Sequence, residues 1–206
     1  MLLKDVAYQK IKEKILEEQY PPGEFLSERT LINDLEMSKT PIKSALTRLE
    51  AEGFASVSSK QGILIHDLSV VRINDIYNLR IALETFNCQE IYHRITEEQL
   101  KELEDNIEKT KETAESVDVK RFAELDHEFH LAISEIAENN EITRILLNYQ
   151  DHLRRITLRH LRKDPKRVRK FYEDHVRLYN ALKSRDVESV EIMRTHLQES
   201  KSTLFQ

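Results

Sequence analysis

Asp126 and His130 stand four residues apart, a spacing that puts both side chains on one face of a helix. His175 and His196 flank a turn that centres near Arg185, ten residues before it and eleven after it. At ~1.5 Å of rise per residue each lies about 15 Å from that turn, so an antiparallel helical hairpin brings them level. One carboxylate and three imidazoles, arriving at one level from three helices, make the donor set of a divalent metal site in a bundle core. Zinc is the first candidate for such ligands, with nickel, iron and manganese also served. The thiolates of a closed structural zinc site are missing. Spacing alone leaves the ligand set open. His152 and His175 lie twelve and eleven residues either side of Asp164, so His152 passes the same test. His127, beside Asp126, points about 100° away on a helix.

A second group has a different chemistry. From Met37 to Leu49 the chain carries no acid, although 37 of its 206 residues are Asp or Glu. The same stretch holds Ser38, Lys39, Thr40, Lys43 and Arg48. A helix that opens with hydroxyls, cations and unpaired N–H groups suits phosphate oxygens and guanine edges. Lys39 and Lys43 are four apart and share a face. That is what the second helix of a helix-turn-helix presents to a DNA groove.

The elements that must position these groups are nearly all helical. Charged residues make up 33% of the chain and apolar residues 39%, with only three Gly and four Pro. Such a chain favours long amphipathic helices over a sandwich or barrel. The periodicity predicts a helix over 3–19, stopped by Tyr20-Pro21-Pro22-Gly23. Ser27 is expected to cap a helix over 28–35, and Ser38 or Thr40, with Pro41 in the first turn, to cap a third that ends at Gly53. Residues 54–58 and 63–65 are expected to be strands joined by a turn at Ser59-Lys60-Gln61-Gly62. Three helices and a hairpin within 66 residues follow the order of a winged helix-turn-helix. After a short junction at 67–69, everything reads as helix. Segment 70–94 has Ile73, Ile76, Leu79, Leu83 and Phe86 in phase, and Thr96 with Gln99 forms a capping box opening a helix to about 116. Helices near 118–138 and 141–162 are separated by Asn139-Asn140. Asp164-Pro165 starts another to about 183, and Asp186 caps a last one to about 204.

Net charge is −5, which excludes a globally basic nucleic-acid binder but not a local basic surface. The longest apolar run is three residues, against about twenty for a membrane span. The opening Met1-Leu2-Leu3-Lys4-Asp5 has no signal-peptide apolar region. The lone Cys88 excludes an internal disulfide and is expected to be a small buried apolar residue. The expectation is a cytoplasmic protein. A basic run, Arg154 to Lys170, opposed only by Asp164, is read as a solvated surface.

With these residues in view, a resemblance becomes specific. Pro22-Gly23, Leu26-Ser27-Glu28, Leu31, Leu35, Ser38-x-Thr40-Pro41, Ala45-Leu46, Leu49-Glu50, Gly53 and Gly62 resemble, in order and spacing, the winged-helix domain of the GntR family of bacterial transcription regulators. The resemblance implies that Arg29, Ser38, Lys39, Thr40 and Lys43 face DNA, with Gln61 and Gly62 at the wing tip. Lys39 and Lys43 stand where the family usually has arginine, so the bidentate reading of guanine is weakened. Further on, LDHEFHLAI (125–133), EDHVRLYNAL (173–182), MRTHL (193–197) and NLRIALE (78–84) resemble the effector domain of the family's FadR-type branch, known as FCD-like. That resemblance implies Asp126, His130, His175 and His196 as ligands of a divalent metal and Arg80 as the partner of a carboxylate effector. His127 and His152 fall off the motif.

The combined expectation is a mainly α, dimeric, ligand-responsive transcription regulator, a repressor by the commoner mode of that family. Residues 1–66 would bind a palindromic operator, and 70–206 would bind metal, a small organic acid and a second copy. The alternatives are a regulator that senses the metal itself and a metal-dependent enzyme built on the helical half. The absence of a phosphate-binding Gly-rich loop, a nucleophile elbow or a paired acid and base argues against an enzyme.

Overall fold

The computed structural model describes residues 1–202. Among them are nine helices and three strands: α1 Leu3–Leu16, β1 Phe25–Leu26, α2 Glu28–Leu35, α3 Lys39–Ala51, β2 Ala55–Ser58, β3 Gly62–Ile65, α4 Val70–Ile91, α5 Glu97–Ser116, α6 Val119–Ile136, α7 Asn140–Lys163, α8 Arg167–Lys183 and α9 Glu188–Ser202. The chain divides into two compact units, Met1–Leu68 and the part from Ser69 onward.

In the first unit α1 packs on α3. Ala7, Tyr8, Ile11 and Ile15 of α1, Leu31 and Leu35 of α2, Ile42, Ala45, Leu46 and Leu49 of α3, and Ile63 and Ile65 of β3 share one core. α1 ends sooner than its periodicity predicts, because Glu18 turns into the left-handed region (φ 58°) and Tyr20 N–H bonds back to the Lys14 carbonyl. Ser27 caps α2, accepting from Thr30 N–H. Neither Ser38 nor Thr40 caps α3. Ser38 occupies the cap position without a side-chain bond, and both hydroxyls stay exposed at the helix start. The sheet runs β1-β3-β2, all antiparallel, with Leu26 opposite Ile63 and Ser58 opposite Gly62. The two-residue strand β1 has no periodic signal, and its pairing with β3 exists only in the folded unit. Gly62 opens β3 at φ +92°, where a Cβ would lie 2.6 Å from the Leu26 carbonyl oxygen.

In the second unit α4 packs on α9, α5 on α6 and α8, α6 on α7, and α8 on α9. Cys88 and Ile91, Leu100 and Leu103, Phe129 and Ile133, Leu178 and Leu182, and Met193 and Leu197 fill the main core. A smaller cluster of Phe122, Leu161, Val168 and Phe171 joins α6, α7 and α8. The capping box at Thr96 and Gln99 is present. α8 begins two residues later than Asp164-Pro165 suggests. The Asp164 carboxylate is taken by Lys166 N–H (3.3 Å) and Arg167 Nε (3.1 Å), so it holds a turn rather than a helix start. Asp186 accepts from Glu188 N–H ahead of α9, whose expected end near 204 lies outside the described residues. Among the described residues no helix is long and apolar enough to cross a membrane.

The inward face of α4 departs from its apolar stripe. Ile73 and Ile76 are buried, but Leu79 and Leu83 are only half-buried and Phe86 is 44% exposed. Tyr77, Arg80, Glu84, Asn87 and Cys88 face inward instead. Burying charge is costly unless it is paired, and Arg80 and Glu84, one turn apart, pair with each other at 2.5 Å. The basic run also departs from a purely solvated surface. Arg155 is 2% exposed, Arg154 bonds Glu124 at 2.9 Å, and Lys170 bonds Asp174 at 2.6 Å. The second half of α7 is buried along most of its surface as far as Leu161, so Arg155 is enclosed and Arg154 and Arg159 are half-buried, while Arg162 and Lys163 are exposed.

Candidate functional site

α6 carries Asp126 and His130 on adjacent turns, α8 carries His175, and α9 carries His196. Each of the four offers one donor atom, and these donors all lie within 4.8 Å of one another. All four residues are buried. The three rings are 5.0–5.4 Å apart, centre to centre. Phe129 stacks on His175 at 4.3 Å, and Phe171 meets His196 edge-on at 5.5 Å, which fixes both imidazoles from outside the cluster. His175 Nε2 stands 3.5 Å from Asp126 Oδ1.

The hydrogen bonds around the cluster are incomplete in a telling way. Both nitrogens of His175 and Nε2 of His130 are buried with no hydrogen-bond partner. Buried polar atoms are nearly always satisfied, so orphaned nitrogens at one point mark a place for something else. Burial pushes His175 well below its ordinary pKa, and His196 and His130 beside it push the same way. Burial likewise pushes His130 down, against the pull of Glu84. Neutral imidazoles with free lone pairs, facing one carboxylate, are what a divalent transition metal requires of its ligands. The donor set fits such an ion.

Two further carboxylates touch the outer sides of these rings. Glu84 Oε2 accepts from His130 Nδ1 at 2.5 Å. Asp174 Oδ2 lies 3.4 Å from His196 Nδ1, while its Oδ1 accepts from Lys170 Nζ. Burial opposes the charge on Glu84, but the Arg80 guanidinium beside it holds the carboxyl down at about 2. Sequence reasoning passed over Glu84 and Asp174. The signals that could have found them are the four-residue spacing from Arg80 to Glu84 and the position of Asp174 next to His175. Arg80 is buried and paired with Glu84 through Nε. His152 is buried but bonds Arg72 at 3.3 Å and stays out of the donor cluster. His127 is half-buried and outside it too.

In the first unit, Ser38, Lys39, Thr40 and Lys43 are exposed along the start of α3, and Arg29 is exposed on α2. Gln61 and Gly62 lie at the β2–β3 turn. A groove of about 690 Å³ is lined by Glu28, Lys39, Lys43, Thr47, Ser58 and Gly62, among others. Glu28 holds Lys39 at 2.6 Å and lies 3.9 Å from Lys43.

Comparison with known proteins places both halves. Residues 3–65 match the bacterial regulatory proteins of the gntR family, and residues 75–199 match the FCD domain. The Nta operon transcriptional regulator of Aminobacter aminovorans is 28% identical over 135 residues, 66% of this chain and 64% of that protein. The aligned stretch thus falls just short of two thirds of that relative's length. The HTH-type transcriptional repressor RspR of Escherichia coli (strain K12) is 26% identical over 189 residues, 90% of this chain and 81% of that one. Among solved structures, E. coli McbR/YncC superposes with a TM-score of 0.81 at 23% identity, covering 100% of this chain and 98% of the other, which shows a common fold. These relatives are transcription regulators rather than enzymes. On the two domain matches, which together span most of its length, the chain belongs to the gntR family of bacterial regulatory proteins that carry an FCD domain, and it is a transcription regulator.

Proposed function

We propose that this regulator is a cytoplasmic homodimeric repressor. In this reading residues 1–66 bind a palindromic operator and 70–206 sense a small carboxylic acid at a divalent metal, zinc first, held by Asp126, His130, His175 and His196. The observation that carries the reading is the meeting of four donor groups from three helices around imidazole nitrogens that have no hydrogen-bond partner. A bound divalent ion would supply a Lewis-acidic positive centre for a carboxylate. Among the buried charges that meet the cluster, Asp126, Glu84 and Asp174 outweigh Arg80 by two negative charges, which a divalent ion cancels. The repulsion that an anion would meet there is then removed. The forked end of Arg80 offers a second grip on the same ligand.

On the DNA side, Ser38 and Thr40 have hydroxyls free of capping duty, which suits them to phosphate oxygens. Lys39 and Lys43 reach phosphates or guanine edges. Gln61 and Gly62 enter the minor groove, and Arg29 faces DNA from α2. A dimer reads two half-sites about 34–36 Å apart, so a small change in their spacing weakens both contacts together.

The test is fluorescence anisotropy of the protein on its own upstream DNA against scrambled DNA, at fixed salt. A panel of small carboxylic acids is added with and without Zn²⁺. The expected result is sequence-preferring binding that one acid shifts only when Zn²⁺ is present, with His175→Ala unresponsive. A response to Zn²⁺ alone, with no acid effective, would make the metal itself the signal.

A further inference from the structure

Glu84 is the most deeply buried carboxylate among the described residues, 1% exposed. A carboxylate in that position needs strong charge-assisted partners. It has one on each oxygen: Oε1 accepts from Arg80 Nε at 2.5 Å, and Oε2 accepts from His130 Nδ1 at 2.5 Å. An ionised carboxylate has no proton to give, so the hydrogen in the second bond belongs to His130. A neutral imidazole protonated on Nδ1 carries its lone pair on Nε2, and Nε2 of His130 is the atom left buried without a partner. Metal-ligating histidines are commonly held in this way by an outer carboxylate. On the other side, the bond to Arg80 uses Nε and leaves Nη1 and Nη2 outside the pair. These two atoms grip a carboxylate in parallel.

We propose that Glu84 is the positioning residue that couples the two parts of the sensor, holding His130 in its metal-ligating tautomer with one oxygen and Arg80 with the other. The inference rests on the metal reading above. Arg80 and His130 share one carboxylate, so Arg80 draws charge away from His130. An anion on Nη1 and Nη2 offsets Arg80 and returns that charge to the metal side. Metal and acid therefore strengthen each other's binding, by the same factor in both directions.

The experiment measures Zn²⁺ affinity of the full chain by competition with a chromophoric chelator, without any acid. Glu84→Gln keeps the shape and removes the charge, and is expected to weaken Zn²⁺ binding ~10–100-fold. Arg80→Gln leaves Glu84 to His130 alone and is expected to tighten it. In the double variant the effect of Arg80→Gln is expected to vanish, because it acts through Glu84. Opposite signs in the single variants separate this role from mere support of the fold, which would weaken both. If both variants weaken binding, or if the Arg80 effect persists without Glu84, the coupling is overturned. If Zn²⁺ binds the unaltered chain no better than His175→Ala, the metal reading fails and this inference fails with it. Circular dichroism checks that each variant folds. Should Glu84→Gln not fold, ¹⁵N NMR of the metal-free, unaltered protein decides the point. A His130 ring protonated on Nδ1 is the expected result, and one protonated on Nε2 overturns the proposal.

Discussion

The carboxylate of Glu28, the first residue of α2, lies 2.6 Å from the ammonium of Lys39, the first residue of α3. Lys39 holds the Glu28 carboxyl below the ordinary range, and Lys43 adds to the effect from 3.9 Å. The two lysines proposed to reach DNA are thus partly neutralised from within the free domain. Glu28→Gln should raise affinity for scrambled DNA, where phosphate contacts dominate. Lys39→Ala should reduce the slope of log affinity against log salt by about 1 per subunit, or about 2 for a dimer on two half-sites. Anisotropy titrations at several salt concentrations check both. A fall in affinity with Glu28→Gln would mean that Glu28 aims Lys39 instead of competing for it.

Gly62 begins β3 in a conformation that side chains rarely adopt, and a Cβ there would press on the Leu26 backbone. Gly62→Ala should cost on the order of 1–3 kcal/mol in the first unit, from the positive φ, before any clash is counted. It should also disturb the wing that Gln61 and Gly62 cap. Thermal melting of the full chain should show a transition lowered by several degrees, with weaker operator binding. An unshifted melt would show that the hairpin relaxes freely.

His160 receives a close contact from Arg167 Nη1 to its Nε2. Burial first, and then the charge of Arg167, push this imidazole down to about 4 from an ordinary value near 6.5. Between those values the unfolded chain binds more protons at this site than the folded chain does. The stability contribution is therefore fully present above about pH 6.5, is lost as pH falls toward 4, and changes no further below that. His160→Gln retains an acceptor for Arg167 but does not titrate. Its melting temperature should drop less than that of the unaltered protein between about pH 7 and about pH 4.5. Parallel curves would assign the acid sensitivity to other groups.

Asn87 lies on the inward face of α4 with 0% exposure, and neither its amide nitrogen nor its oxygen has a hydrogen-bond partner. Leucine keeps the branched shape of asparagine, is bulkier, and has nothing to leave unsatisfied. Asn87→Leu should stabilise the second unit by ~1 kcal/mol, raising its melting temperature by roughly 2–4 °C. A lower melting temperature would mean either that the amide binds buried water or that the site has no room for leucine, and would overturn the prediction.

Much of this molecule is legible locally. Ser27 beside Thr30, Thr96 with Gln99, and Asp126 with His130 interact across one turn, so their spacing reads out their partnership before any packing is known. The helix boundaries follow the same short-range chemistry. They slip where a neighbouring side chain takes the expected cap, as when Arg167 Nε occupies the Asp164 carboxylate. The α4 stripe was misleading for a related reason. Hydrophobic periodicity predicts which face turns inward only when the interior is apolar, and this interior holds a charged pair and a donor cluster.

The sequence by itself determined the order of the helices and the β2–β3 hairpin, the acid-free start of α3 and the one-turn pair Asp126 and His130, because each depends on residues within a few positions of one another. Spacing alone left His152 and His196 equally placed to meet His175, and the tertiary structure brings His196 to it and His152 to Arg72. Only the tertiary structure brought Glu84 of α4 against His130 of α6, 46 residues away. Those outcomes depend on how helices α4, α6, α8 and α9 pack in register, and no spacing along the chain encodes that.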